Sequence, residues 1–181
     1  MIFYTADTHF YHGRIMEFCP NTRIGKDYVE MTNKLIANWN SQVGPEDLVY
    51  HLGDFSFGKH EQTKSVLNRL NGRIILIKGN HDRQLLVNPD LLKRFESVHD
   101  YLEIKVEKID VVLFHYPILE FNKMHYGAFH CFGHVHGKQM NLQDRRAMDV
   151  GIDSRPFGDM KLWTWDEIKE KLNARPIFSH H

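Results

Sequence analysis

The sequence has little with which to build a disulfide framework, a membrane anchor or a polyelectrolyte face. Cysteine occurs twice, at Cys19 and Cys131, with no CxxC spacing. That excludes a disulfide scaffold, and the two thiols are expected to stay reduced in a cytoplasmic protein. No apolar run approaches the ~20 residues of a membrane span, and Asp7 interrupts the first such run, which breaks the pattern of a secretory leader. Charge excess is also absent: Lys plus Arg and Asp plus Glu each number 23. That balance gives no broad basic face, which argues against non-specific duplex binding as the main activity. There is no internal repeat, low-complexity tract or linker. A chain of 181 residues then suits one domain, residues 1–175, followed by a short tail over 176–181.

What is there is histidine, 13 of them. His180 and His181 end the chain and read as an exposed tail or an expression remnant. The informative ones follow apolar runs. Ile74-Ile75-Leu76-Ile77 reads as a short buried strand, and Gly79-Asn80-His81-Asp82-Arg83 follows it closely. Asn and His are poor core residues, so this placement points to a site. The same grammar recurs along the chain. Ile2–Ala6 runs into Asp7-Thr8-His9, Leu48–Leu52 into Gly53-Asp54, Asp110–Phe114 into His115, and Ala128–Phe132 into Gly133-His134-Val135-His136.

Between these blocks helices dominate early and strands late. Asp27 and Glu30 suit a capping box ahead of an apolar stripe of Tyr28, Met31, Leu35, Ile36 and Trp39. A second helix is expected to end at Asn71-Gly72. Residues 84–95 read as partly helical, interrupted by Pro89. Leu102, Ile104 and Val106 alternate with charges and form a hairpin with Asp110–Phe114. Strands near Met148–Ile152 and Lys161–Trp165 precede a last helix over Asp166–Asn173, capped by Thr164 and Glu167. The fold class is therefore mixed α/β in a single domain.

In α/β sheets ligands gather at the carboxyl ends of strands. Asp7, His9, Asp54, Asn80, His115, His134 and His136 make a coherent donor set for two cations. Imidazole-rich, thiolate-free sites favour Mn, Fe, Co, Ni or Zn over Mg or Ca, with manganese the leading expectation. Two divalent ions opposed by two carboxylates leave about +2, which suits a phosphate ester; ions about 3.5–4 Å apart can share a hydroxide nucleophile and clamp phosphoryl oxygens. His81 is the expected proton donor to the leaving oxygen, with Asp82 orienting it. His12 and Arg83 are candidate phosphate contacts. His51 and His130 lie within strands and read as core histidines; His60, His99 and His125 read as surface. Phe10, Tyr11, Tyr116, Phe121 and Tyr126 flank the blocks and either stack a base or pack. Residues 116–127 either form a lid or cover surface.

The ordered blocks Asp7-Thr8-His9, Gly53-Asp54, Gly79-Asn80-His81-Asp82, His115 and Gly133-His134-Val135-His136 resemble the signature of the calcineurin-like metallophosphoesterases. The similarity is greatest to the small bacterial and phage members. It implies a four-layer α-β-β-α sandwich. It further implies one metal held by Asp7, His9, Asp54 and His136 and a second held by Asp54, Asn80, His115 and His134. After Gly53-Asp54 the chain reads Phe55-Ser56-Phe57-Gly58 and lacks the Asp-Arg-Gly continuation of the protein phosphatases. The expected activity is hydrolysis of phosphomonoesters or small phosphodiesters, nucleotides or cyclic nucleotides included. A nuclease on short single strands is the alternative, and a non-catalytic scaffold of the same fold ranks below both. Partners are then a small phosphate ester, with no membrane and no nucleic acid beyond short single strands. The sequence leaves the oligomeric state open.

Overall fold

The run Ile74–Ile77 lies in β3 (Arg73–Ile77), an interior strand of a five-stranded sheet. In the computed structural model, which describes residues 1–138, 140–155 and 158–178, β3 pairs in parallel with β2 (Leu48–His51) and β4 (Phe95–His99). Beyond β2 lies β1 (Ile2–Thr5), also parallel, and β9 (Trp163–Thr164) closes the edge antiparallel. The second sheet holds β5 (Tyr101–Val106), β6 (Ile109–Phe114), β7 (Phe129–Phe132) and β8 (Ala147–Asp149) in that order. The β5–β6 pair is the expected hairpin, turned by Glu107 and Lys108 at φ 48° and 72°, the two left-handed residues of a tight loop that matches strand twist.

Side-chain alternation sorts the core. Phe3, Val49, Ile74 and Leu76 face helices α2 (Tyr28–Gln42) and α3 (His60–Arg69), meeting Met31, Leu35, Ile36, Trp39, Val66 and Leu67. Tyr4, Tyr50, Leu52 and Ile77 point the other way, onto Val111, Leu113, Phe129 and Cys131 of the second sheet. Helix, sheet and second sheet thus stack as expected. The fourth layer differs. Among the described residues the outer face of the second sheet, Val112, Phe132 and Ala147, is covered by Phe121, Met124, Ala128 and Leu142 from irregular chain with one 3-10 turn. Residues 116–127 therefore cover that sheet in part, and Phe121 is core. Helix α6 (Trp165–Asn173) instead puts Trp165, Ile168 and Leu172 into the core between the sheets.

Local signals held with two exceptions. Thr164 and Glu167 make the reciprocal capping box of α6. At α2, Asp27 accepts from the Val29 and Glu30 amides, but Glu30 reaches back to the Lys26 amide instead of Asp27's. Asp27 caps the helix without closing the box. Residues 84–95 contain only α4 (Arg83–Leu86) and α5 (Pro89–Leu92, with Pro89 at its start), after which β4 begins at Phe95. The strand escaped sequence reading because Phe95-Glu96-Ser97-Val98-His99 has one buried residue at its head and no alternation. α1 (Ile15–Phe18) is a single turn. No helix among the described residues is long and apolar enough to cross a membrane. Phe178, in the expected tail, packs on the outer cluster and under the Arg145 guanidinium; His180 and His181 lie outside the described residues.

Candidate metal centre

Parallel pairing of β1, β2 and β3 brings their carboxyl ends to one edge. The Asp7 amide donates to the Gly53 carbonyl and the His9 amide to the Asp54 carbonyl, so the first two blocks run side by side. The second sheet meets the same edge, since Gly133 donates to the His115 carbonyl and Ala6 bridges Gly151. Two glycines are required by these approaches. A Cβ on Gly79 would lie 2.3 Å from the Asp54 amide nitrogen, and one on Gly133 would lie 2.7 Å from Asp7 Oδ2. Five of the seven expected donors, Asp7, His9, Asp54, His134 and His136, hold left-handed backbone at φ between 45° and 71°. Each such residue costs about 1–3 kcal/mol, so the surrounding structure must impose the geometry.

All seven come together. The ligating atoms of Asp7, His9 and His136 lie within 4.8 Å of one another, and so do those of Asp54, His115 and His134. Asp54 Oδ2 stands 3.6 Å from His9 Nε2 and 3.7 Å from His115 Nε2, facing both groups with one oxygen. Asn80 joins the second group, its Oδ1 at 3.0 Å from His115 Nε2 and 3.1 Å from His134 Nδ1. The donors thus sort into Asp7, His9 and His136 on one side and Asp54, Asn80, His115 and His134 on the other.

The donors fit cations. Asp7 Oδ1 and both His9 ring nitrogens are buried with no hydrogen-bond partner, an arrangement that buried polar groups avoid. His115 Nδ1 donates to the Leu52 carbonyl at 2.7 Å, which turns a bare Nε2 lone pair toward the Asn80 oxygen. A cation between them relieves that contact, and donors about 2.1 Å from one ion at right angles stand about 3 Å apart. Electrostatics agree. Burial, then Asp149 and Asp54, push the Asp7 carboxyl well above the carboxylate range, against smaller pulls from the His134 amide and Arg23. Burial, then Arg23 and the neighbouring imidazoles, drives His9 far below the usual histidine value. Burial likewise lowers His115 and His134, opposed by Asp54. A buried Asp7 that resists ionising lacks a positive partner, and imidazoles kept neutral present lone pairs that a cation, not a proton, would take.

Around the donors lies a shell that the sequence reading did not anticipate. His136 Nδ1 donates to Asp153 Oδ2 at 2.8 Å, leaving Nε2 for the centre. Asp153 also accepts from Arg23 at 2.7 and 2.8 Å and from Thr22. Although burial raises its pKa, Arg23, His136 and Thr22 hold the carboxyl well below the usual range. Arg23, itself buried, donates onward to the Thr8 and Asp7 carbonyls. With Asp153 so engaged, the nearby grouping of Cys19, His136 and Asp153 supports the centre instead of forming a third one. Burial pushes the Cys19 thiol up to about 11. The sequence did carry a signal: Val150-Gly151-Ile152-Asp153 sets a glycine and then an acid behind a short apolar run, as Leu52-Gly53-Asp54 does.

The remaining expected residues sort as follows. His81 is exposed, its amide donating to Asp54 Oδ1 and its ring 5.9 Å from that of His9. Asp82 does not orient it. The Asp82 carboxylate is fully buried and accepts the amides of Asp54, Phe55 and Gly79 at 2.7–2.9 Å. It ties two loops together, because three converging N–H groups are a better partner for a buried acid than a solvated ring. Burial lifts it to about 6, with those amides pulling the other way. His12 stacks on Phe57 at 3.9 Å, with Nδ1 unpartnered. Arg83 is exposed at the start of α4, where its guanidinium makes no ion pair among the described residues. His51 and His130 are satisfied core histidines, bonded to Thr8 and Gly53 and to Val112 and Ile118 respectively. Phe10 is buried, and Tyr126 is exposed away from the cores. Tyr116 is half-exposed with its ring 4.6 Å from His134.

Fold and donor set together define the class, an α/β protein with a candidate two-ion centre at its strand ends. Residues 1–150 match the calcineurin-like phosphoesterase superfamily domain, and the chain belongs to that superfamily. It is similar to the gene 66 protein of Mycobacterium phage L5, 30% identical over 202 aligned positions that cover 94% of this chain and 93% of that one. It is also 42% identical over 84 residues to MJ1445 of Methanocaldococcus jannaschii, a stretch spanning 45% of this chain and about half (47%) of that protein. The crystal structure of AQ665 from Aquifex aeolicus superposes with a TM-score of 0.71 at 26% identity, covering 94% of this chain and 98% of that one.

Proposed function

We propose that the protein is a dinuclear metal-dependent phosphoesterase that hydrolyses phosphomonoesters or small phosphodiesters, with manganese as the first pair of ions to test. The observation that carries this reading is Asp54 Oδ2, which faces His9 of one donor group and His115 of the other at nearly equal distance. Asp7, His9, Asp54 and His136 would hold one ion; Asp54, Asn80, His115 and His134 would hold the other. When bound, such ions supply Lewis acidity toward phosphoryl oxygens and an activated water at neutral pH.

The chain's own residues supply the rest. His81 stands exposed beside His9 and is held by its amide to Asp54, a position that supports reading its imidazole as the proton donor to the leaving oxygen. Asp82 fixes the 54–55 and 79 backbones against each other, so Asp54 and Asn80 keep their separation. His12 and Arg83 would meet the phosphate from the open side.

The test is to strip the protein with chelator and refill it with Mn, Ni or Zn. It is then assayed on mono-, di- and cyclic phosphate esters and on short single-stranded oligonucleotides. About two ions per chain and Mn-restored turnover of a small ester are expected. A protein that retains no transition ion, or cleaves none of the esters with any metal, overturns the reading. Cleavage confined to oligonucleotides transfers it to the nuclease alternative.

A further inference from the structure

We propose that Phe57 and the hollow beside it form a subsite for the nucleobase of a nucleoside phosphate ester. The proposal narrows the phosphoesterase reading and rests on it for the phosphate, while the base contact stands on separate geometry.

Phe57 follows Asp54 by three residues and is 40% exposed although it lies against the centre. Its ring stacks on His12 at 3.9 Å and 10°, and its centroid is 5.1 Å from His9 and 4.9 Å from His81. An open apolar ring held this firmly between candidate phosphate-handling residues is a flat platform fixed in one orientation. Beside it is a hollow of about 270 Å³ lined by Phe57, Lys59, Gln84, Leu85, Asn88 and Leu91. Its two walls are direct continuations of the donor blocks, residues 56–60 after Asp54 and residues 84–91 after Asn80-His81-Asp82. The hollow thus opens beside the loops that carry the donors, with Phe57 common to both.

The lining chooses the chemistry. Leu85 and Leu91 are buried and give an apolar floor, the Phe57 face takes a π-system, and the Gln84 and Asn88 carboxamides offer donors and acceptors to a heterocycle's edge. Asn88 Nδ2 is engaged with the Gln84 carbonyl, which leaves its oxygen free to accept. Lys59 at the rim makes no ion pair among the described residues and adds a donor for a base or ribose oxygen. A volume just under the usual range for drug-sized ligands holds one base. Stacking is tolerant of base identity, so the subsite selects nucleotides as a class.

The experiment compares the phosphonate analogues of adenosine 5′-monophosphate and of ribose 5-phosphate, in which a methylene group replaces the ester oxygen so that neither is hydrolysed, by calorimetric titration of the Mn-loaded protein. Wild type is expected to prefer the nucleotide by about tenfold, the scale of base–aromatic stacking. Phe57→Ala and Phe57→Leu should bring the ratio near one, the latter while keeping apolar bulk against His12. Phe57→Trp should preserve it. Equal binding of the two ligands by wild type, binding of neither, or a Phe57→Ala loss that is the same for both overturns the subsite. So does a ratio that collapses in Tyr116→Ala and survives in Phe57→Ala. Ester turnover is scored separately. A base preference that depends on Phe57 in a protein that cleaves no ester leaves the subsite standing and removes the phosphoesterase reading. Turnover without base preference does the reverse.

Discussion

His136 Nδ1 lies 2.8 Å from Oδ2 of Asp153, a buried carboxylate 17 residues further on that also takes the Arg23 guanidinium. Through Arg23 the same carboxylate reaches the Asp7 and Thr8 carbonyls, so one acid fixes both a donor ring and the backbone that presents another donor. Asp153→Asn should therefore act on metal retention and folding together. A lost partner behind a metal-facing histidine typically costs 10–100-fold in affinity. Arg23, buried and deprived of its countercharge, should cost about 3–5 kcal/mol. Metal content after dialysis and urea unfolding measure the two effects. Unchanged retention in the Asn variant would show that His136 needs no such anchor.

How far this was legible from sequence follows from the same residues. Asp7, His9, Asp54, Asn80, His115, His134 and His136 could be read because each follows an apolar strand, and parallel pairing forces such ends together. Asp153 could not be read with the same ease, because it follows the short strand β8 inside a 3-10 turn, Ile152–Ser154. Asp82 was misassigned because adjacency in sequence is not contact; its carboxylate turns inward to amides while the next ring turns to solvent. The left-handed backbone at five donors has no sequence mark, since none of them is glycine. The outer layer escaped because irregular chain held by Phe121 and Met124 covers a sheet face as well as a helix does.

His81 makes no hydrogen bond through its ring to Asp82, and its amide, not its side chain, touches Asp54. Its removal should spare the donor groups. His81→Ala is expected to keep wild-type metal content and lose ~10²–10⁴-fold in turnover of esters with poor leaving groups. Esters with good leaving groups, which need little proton donation, should lose much less. An equal loss on both, or loss of metal, would place His81 in binding instead.

His130 gives a pH prediction away from the centre. It is fully buried, donating from Nδ1 to Val112 and accepting from Ile118 at Nε2, and burial lowers its pKa to about 4 against a partial lift from its backbone contacts. Because the folded value lies below the unfolded one near 6.5, the unfolded chain takes up the proton first as pH falls. The contribution is complete above about pH 6.5 and is lost as pH drops toward about 4, on the order of 3 kcal/mol across the window. His130→Gln keeps a donor and an acceptor and cannot titrate. The stability gap between wild type and this variant, from urea unfolding, should shrink between pH 7.5 and pH 5. Parallel pH curves for the two would contradict the assignment.

Asp7 offers the sharpest separation of stability from function. Its Oδ2 accepts the His134 amide at 2.8 Å, its Oδ1 has no partner, and burial with Asp149 and Asp54 nearby opposes its charge. An asparagine there keeps the acceptor for His134 and replaces the orphan oxygen with a donor facing acidic neighbours. In chelator, Asp7→Asn should thus be more stable than wild type by about 1–3 kcal/mol, the scale of a buried unsatisfied group. With Mn present the order should reverse. Wild type gains stability as free metal rises above its dissociation constant, while the variant, short of a donor at the first group, gains far less. Thermal melts with and without metal distinguish the cases. A variant already less stable than wild type in chelator would mean that the carboxylate serves the fold before it serves a cation.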